Sequence, residues 1–398
     1  MNVPKLRFKE FNDKYNITKV SEIIDVIDGD RGNNYPKAND FYDSEFCLFL
    51  NAGNVTKNGF NFKNNQFITK EKDKKLRKGK LLINDIVLTT RGTVGNVAWF
   101  NEKTPYKNIR INSGMVINRI KENGHLLPEY LYSYMKSPVF EIQVNKMNYG
   151  SAQPQLTVSG INKFNIQYPT INEQKKVSTI MLLLDKKIEL QSKKIEDLKL
   201  FKKGLINSIG KNIEIEKIPL KNILAEQNRK TTKNNEYEIL SSTSKGIYLQ
   251  KDYFNKQAAS DNNVGYKILK KNQLVLSPQN LWMGNININS KYNIGIVSPS
   301  YKIFDINNNI DIDFFDYWIK SPKALYEYKI SSEQGASIVR RNLNMDLFYE
   351  IKVDIPKGKM QNKLGKIIKL LNLKIQYNEN LLQKLQELKK GLMQNMFV

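Results

Sequence analysis

Cysteine and histidine are almost missing from this chain. Its 398 residues hold one of each, Cys47 and His125. An internal disulfide is therefore impossible, and a zinc site built from Cys and His is excluded. A Ser–His or Cys–His nucleophile would have to draw on that single His. His125, placed after Gly124 and before Leu126-Leu127-Pro128, reads as a plain loop residue. Long apolar runs are absent too: the longest, residues 180–184, falls far short of a membrane span. The opening MNVPKLRFKEF has no apolar signal-peptide core. These shortages lead us to expect a soluble protein of the reducing cytoplasm.

Reaction motifs are missing as well. No acidic or Asn residue precedes Pro-Pro and an aromatic, as in amino-methyltransferases, and no glycine-rich loop is placed for S-adenosylmethionine. No GxxxxGK[ST] phosphate loop is present. Glu350-Ile351-Lys352 has the E-x-K spacing of nuclease metal sites, but its counterpart in the other half of the chain is Lys163-Phe164-Asn165. We expect no catalytic residue, no metal ligand and no cofactor in this chain. A stand-alone DNA-processing enzyme, which needs the Glu350 site, is the alternative on the enzyme side.

What the chain has in excess is positive charge. Lys plus Arg number 63 against 39 Asp plus Glu, a formal charge of +24. That surplus favours a polyanionic partner, most commonly nucleic acid. AT-rich coding inflates Lys, Asn and Ile, but does not by itself create an excess over acids. Only nine residues are Arg, so each tells more than any single Lys.

The pattern that organises the chain is a heptad seam in residues 171–209. Apolar residues recur at Val177, Met181, Leu184, Ile188, Ile195, Leu198, Leu205 and Ile209, broken by Gln191 and Lys202. Such a seam asks for a partner helix. Pro169 precedes it, Thr170 and Glu173 have capping-box spacing, and Gly210 is placed to stop it. Adding 187 to each position gives Leu364, Ile368, Leu371, Ile375, Leu382, Leu385, Leu392 and Met396, with breaks at Asn378 and Lys389. Lys202-Lys203-Gly204-Leu205 returns as Lys389-Lys390-Gly391-Leu392. The two helices are expected to pair with each other within the chain.

The segments between the helices repeat as well. IVLTTRGTVG (86–95) parallels LVLSPQNLWMG (274–284), and YLYSYMKSP (130–138) parallels FFDYWIKSP (314–322). The hairpin signal Lys57-Asn58-Gly59 parallels Ser244-Lys245-Gly246. We read a tandem α+β chain: two mixed α/β domains, 1–169 and 211–356, each followed by a long helix, 170–210 and 357–398. Residues 1–15 read as a polar, basic arm.

Loop Arg, Asn, Gln and Lys side chains are the ones that read bases or hold phosphates. The candidate DNA-binding residues in the first half are Arg91, Thr93 and Asn96 in a glycine-bounded loop, with Lys57 and Asn58. Arg110, Asn112, Tyr149 and Gln153 come second. The second half offers Gln279, Asn280, Trp282 and Asn285, with Lys245 and the pair Arg340-Arg341. The plain reading of any one of them is a solvated turn residue. A coiled-coil scaffold with no DNA role is the alternative for the whole chain.

These residues resemble a known family. Arg91-Gly92-Thr93-Val94-Gly95, the run Gly150-Ser151-Ala152-Gln153-Pro154-Gln155-Leu156, Glu173-Gln174-Lys175-Lys176 and the repeated Lys-Lys-Gly-Leu are similar to the specificity (S) subunit of type I restriction-modification systems. The second half departs at Ser337-Ile338-Val339-Arg340-Arg341 and at Gly358-Lys359-Met360-Gln361. The resemblance implies two target-recognition domains, each reading half of a bipartite double-stranded DNA site, with the two helices packed antiparallel as spacer and Gln191 and Asn378 meeting near their centre to fix register. It implies a non-catalytic subunit that scaffolds two modification (methyltransferase) subunits binding S-adenosylmethionine. Restriction (translocase/endonuclease) subunits using ATP and Mg complete the complex.

Overall fold

The computed structural model describes residues 3–122, 125–148, 155–253, 262–334 and 341–398. The chain divides into two compact units, Met1–Lys193 with Asn380–Val398, and Lys194–Glu379. Each therefore holds one α/β domain and part of both long helices. None of the described helices is long and apolar enough to cross a membrane.

The first unit is built on a four-stranded antiparallel sheet. Its strands are β1 (Ile24–Asp28), β2 (Ile86–Thr89), β3 (Val97–Trp99) and β4 (Met115–Ile120), in the order β1-β4-β2-β3. Apolar residues fill both faces, as the period of two allows. Ile86, Leu88, Val97 and Val116 pack against Tyr130, Leu131 and Tyr134 of the helix Pro128–Met135. Val87, Ala98 and Ile117 pack the other way, against Leu48, Leu50, Ile109 and Ile111. A hairpin, Val55–Thr56 with Gly59–Phe60, lies beside the sheet. Asn16–Lys19 pairs with Asn165–Tyr168 just before the first long helix, α1 (Ile171–Asn212).

The second unit repeats this plan. Strands β5 (Leu224–Gln227), β6 (Leu274–Leu276), β7 (Ile286–Ile288) and β8 (Lys302–Ile306) take the order β5-β8-β6-β7. Leu274, Leu276, Ile286 and Phe304 face the helix Ile312–Trp318, while Val275 and Ile303 face Leu240, Ile247 and Leu269. The hairpin returns as Leu240–Thr243 with Gly246–Leu249, and the closing pair as Ile215–Pro219 with Lys352–Pro356, just before α2 (Met360–Met396). The duplication read from the sequence is thus one topology folded twice.

The long helices bury their seams within each unit: Val177, Met181, Leu385 and Met396 in the first, and Ile195, Leu364, Ile368 and Ile375 in the second. Asp185 accepts from Lys389 in the first unit, and Lys202 donates to Asn372 in the second. The antiparallel sense follows, because the residue number rises along α1 as it falls along α2. Gln191 and Asn378 are both buried, one in each unit. The Asn378 amide donates back to the Lys374 carbonyl at 2.6 Å.

Three expectations about helix ends need correction. Gly210 does not stop α1, which continues to Asn212. Glu173 is not free to close a capping box, because it is fully buried and binds Arg7 Nε and Nη2 at 2.8 and 2.7 Å and the Tyr15 hydroxyl at 3.1 Å. Residues 1–15 are consequently no free arm. That ion pair, and a bond from the Leu6 amide to the Asn395 carbonyl at 2.9 Å, fasten them to the long helices. The supposed departure at the start of α2 conceals an equivalence. Gln174 accepts from the Leu127 amide and donates to the His125 and Pro169 carbonyls. Gln361, 187 positions later (174 to 361), accepts from the Asp311 amide and donates to the Asn309 carbonyl. The same glutamine clamp ties each α/β domain to its long helix.

Candidate nucleic-acid interface

In the first unit the candidate residues gather around the loop that leaves β2. The Thr89 amide donates to the Asn96 carbonyl at 2.9 Å and the Gly95 amide returns to the Thr89 carbonyl at 3.0 Å, so residues 90–95 stand out as a closed loop. Gly92 and Gly95, at φ 70° and 92°, supply the left-handed backbone this needs. The Thr89 hydroxyl bonds the Thr93 carbonyl and accepts from the Asn96 amide. The Thr90 and Arg91 amides both donate to the Gly114 carbonyl, and the Leu156 amide donates to that of Thr90. The loop is therefore rigid at its base while Arg91, Gly92 and Thr93 are exposed.

No carboxylate among the described residues holds Arg91. Its neighbour is Gln155, whose amide oxygen, turned toward the guanidinium, accepts from Nε at 3.2 Å and Nη2 at 2.9 Å. Orientation of that amide is assigned by these bonds. Asn96 donates to the Val55 carbonyl at 3.1 Å and so fixes the hairpin that carries Lys57 and Asn58, both exposed at its tip.

The second unit uses the same device with different side chains. The Ser277 amide donates to the Asn285 carbonyl at 3.0 Å, enclosing a 3-10 turn, Pro278–Met283, and Gly284 at φ 86°. Gln279 is exposed, and Asn280 and Trp282 are half-buried. The two hairpin tips match bond for bond. Thr56 Oγ donates to the Gly59 carbonyl at 3.0 Å and accepts from the Asn58 amide, while Thr243 Oγ does so with Gly246 at 3.1 Å and with Lys245. Lys245 is exposed where the first unit has Asn58.

Three candidates lose their proposed role. Arg110 is buried, 5% exposed, and its guanidinium is used up inside the protein. Nε binds Asp73 at 2.6 Å, Nη1 the Lys78 carbonyl at 2.7 Å, and Nη2 the Asp73 and Leu76 carbonyls at 2.7 and 3.0 Å. Asn285 is buried and accepts from Ser242 at 2.9 Å, which ties hairpin to loop as Asn96 does in the first unit. Arg341 spends Nε on the Ser332 hydroxyl and Nη2 on the Lys329 and Ser332 carbonyls. Asn112 holds the turn beside Arg91 by accepting from the Gly114 amide at 2.9 Å. Tyr149, Gln153 and Arg340 lie outside the described residues. Glu350 pairs with Lys221 at 2.6 Å, and no group of three or more His, Cys, Asp or Glu side chains is arranged to hold a metal among the described residues.

Sequence reading passed over Arg31. Its guanidinium, 48% exposed, sits on Asp28 at 3.0 Å and reaches the Ser113 carbonyl, next to the Gly114 that anchors Arg91. The signal was available, since GDRGNN is a glycine-rich loop holding one of nine arginines. Nearby, Asp30 accepts from the Arg77 amide at 2.7 Å and the Gly32 amide at 2.9 Å, with the Arg77 guanidinium at 3.3 Å. The backbone bonds, more than the guanidinium, hold its carboxyl well below the usual range. A depressed carboxylate stabilises above its unfolded pKa near 4 and loses that contribution as pH falls below it. We therefore expect the protection factors of the Gly32 and Arg77 amides, taken against intrinsic exchange at each pH, to fall on acidification from about pH 4 downward. Asp30→Asn should remove that pH dependence, and an unchanged pH profile of amide exchange in the variant would refute the assignment.

The fold and these loops define a DNA-recognition class of protein: one basic α/β plan, used twice, that presents polar side chains on glycine-bounded loops. Residues 12–200, just under half of the chain, match the type I restriction modification DNA specificity domain. It is 32% identical over 127 residues to the type I restriction enzyme MjaIX specificity subunit of Methanocaldococcus jannaschii. That match covers 31% of this chain and only 28% of the relative's length. In fold it is similar to the crystal structure of a type I restriction-modification S subunit from M. genitalium, with TM-score 0.63, 15% identity, 100% of this chain and 99% of that one covered. A structure described under complex assembly and conformational transition of the type I R-M system gives TM-score 0.50 at 10% identity, covering 95% of this chain and 96% of that one. At such identities the structural likenesses speak to fold alone.

Proposed function

We propose that this chain is a specificity subunit that reads a two-part double-stranded DNA sequence, one part with each α/β domain, in the cytoplasm. The observation that carries the reading is the repeated loop-and-hairpin pair. Its supports are the same in both units, but the outward residues differ: Arg91 and Thr93 against Gln279, Asn280 and Trp282. One framework with two sets of readers suits two different half-sites. On this reading the chain carries out no reaction. It scaffolds two modification subunits, which supply S-adenosylmethionine, and restriction subunits, which supply ATP and Mg chemistry. Support for a protein partner comes from α2, where Leu370, Leu373 and Tyr377 point outward at 66, 54 and 68% exposure.

The test is DNA binding by the chain co-expressed with its modification subunits, measured across salt concentrations. Six or more phosphate contacts should cost roughly a thousandfold or more in affinity between about 50 and 200 mM salt. Weak binding that ignores salt would favour a scaffold with no DNA role.

A further inference from the structure

The duplication sets two charge clusters in equivalent places, one inside each unit. In the first, Asp185 of α1 accepts from Lys389 of α2 and from Lys136, at the end of the helix Pro128–Met135, at 3.1 Å. Lys136 also lies 4.7 Å from the centre of the Tyr132 ring and donates to its hydroxyl. In the second, Lys202 of α1 donates to Asn372 of α2 at 2.6 Å and lies 5.7 Å from the centre of the Tyr317 ring. Lys320, just past the helix Ile312–Trp318, pairs with Asp316 at 3.0 Å. The repeat maps Lys389 to Lys202, Asp185 to Asn372, Lys136 to Lys320 and Tyr132 to Asp316.

Each cluster thus holds two lysines and one carboxylate, but the carboxylate has changed sides. In the first unit it stands on the long helix, and in the second on the α/β domain. The first unit's lysines are not idle surface charges. Lys136 and Lys389 are 10% and 16% exposed. Burial pushes the ammonium pKa of both Lys389 and Lys202 down. A second cation brought up without an acid would meet repulsion that water screens poorly.

We infer that these clusters are a docking key, which determines the kind of α/β domain each stretch of helix pair accepts. The helix surface of Lys202 and Asn372 fits a domain that brings its own acid at the position of Asp316. A domain of the first kind, with Tyr132 and Lys136, would add a lysine there and no carboxylate. The key goes beyond DNA reading and does not depend on it. It limits which domains can be exchanged into the second place without a compensating change at Asn372.

The test is a cycle of D316N, N372D and D316N/N372D in the full chain, read by amide exchange of the helix Ile312–Trp318. D316N should raise exchange several-fold by leaving Lys202 and Lys320 without an acid. N372D should restore protection in that background, because it recreates the first unit's arrangement, and should do much less in the parent. Equal effects of N372D in both backgrounds, or no effect of D316N, would overturn the proposal. A second cycle serves as a check: D185N should raise exchange in the helix Pro128–Met135, and K389M should reverse part of that rise. Failure of K389M to do so would also count against the key.

Discussion

Arg110→Met is expected to destabilise the first unit by about 3 kcal/mol, the low end for removing one partner of a buried ion pair. Burial works against ionised Asp73, and bonds from Lys80 and Arg110 overcome it and hold its pKa below the ordinary value. Without Arg110 the carboxylate keeps the Lys80 pair, at 2.5 Å, whose ammonium side chain is itself 38% exposed. The carbonyls of Asp73, Leu76 and Lys78 also lose their guanidinium donors. An unsatisfied buried acceptor adds to the loss. Arg110→Lys should recover little, because an ammonium cannot reach a carboxylate and three carbonyls in one planar fork. Urea unfolding of the chain measures the effect, and amide exchange in Lys70–Lys75 localises it. A variant that unfolds at the parental urea concentration but recognises a different DNA sequence would return Arg110 to the readers.

Arg91→Ala should do the opposite. Arg91 is exposed, its loop is braced by backbone bonds at Thr89, Thr90 and Gly114, and no carboxylate depends on it among the described residues. Stability should change by no more than about 0.5 kcal/mol. If Arg91 forks onto a base, its loss weakens or relaxes one half-site by about 1–3 kcal/mol. That is roughly five- to a hundred-and-fiftyfold in discrimination. Mapping methyladenine after co-expression with the modification subunit gives the readout. Degeneracy should enter one half of the motif only. Degeneracy in both halves, or an unchanged motif, would remove Arg91 from the readers. Gln155 offers a bond that a base edge could replace, so Gln155→Ala should leave the half-site less affected than Arg91→Ala.

These two arginines show how far the sequence carries. Arg91 lies just past the strand Ile86–Thr89 and Arg110 ends the strand Ile109–Arg110, and both are candidate DNA contacts by residue type. The flanking glycines rank Arg91 first, but no local signal marks Arg110 as buried. Asp73 is 37 positions from Arg110, and only folding places it beside the guanidinium. The same holds for Asn96 and Asn285, which look like loop readers but serve as ties to hairpins about 40 residues earlier in the chain.

The sequence by itself determined the long helices, their pairing within the chain and the duplication. Heptad and two-residue periods are local and survive divergence of loop side chains. The Lys-Lys-Gly-Leu repeat and the glycine-bounded loops were legible for the same reason. Tertiary structure decided which polar side chains are left for a partner. It committed Arg110 and Arg341 to the protein's own carbonyls, fastened residues 1–15 through buried Glu173, and gave Gln361 the task of Gln174. It also paired Asp185 of α1 with Lys136, and Asp316 with Lys320 of the same domain. Those outcomes depend on pairings between distant residues in a low-dielectric interior, where one bond made or missing is worth more than any propensity written along the chain.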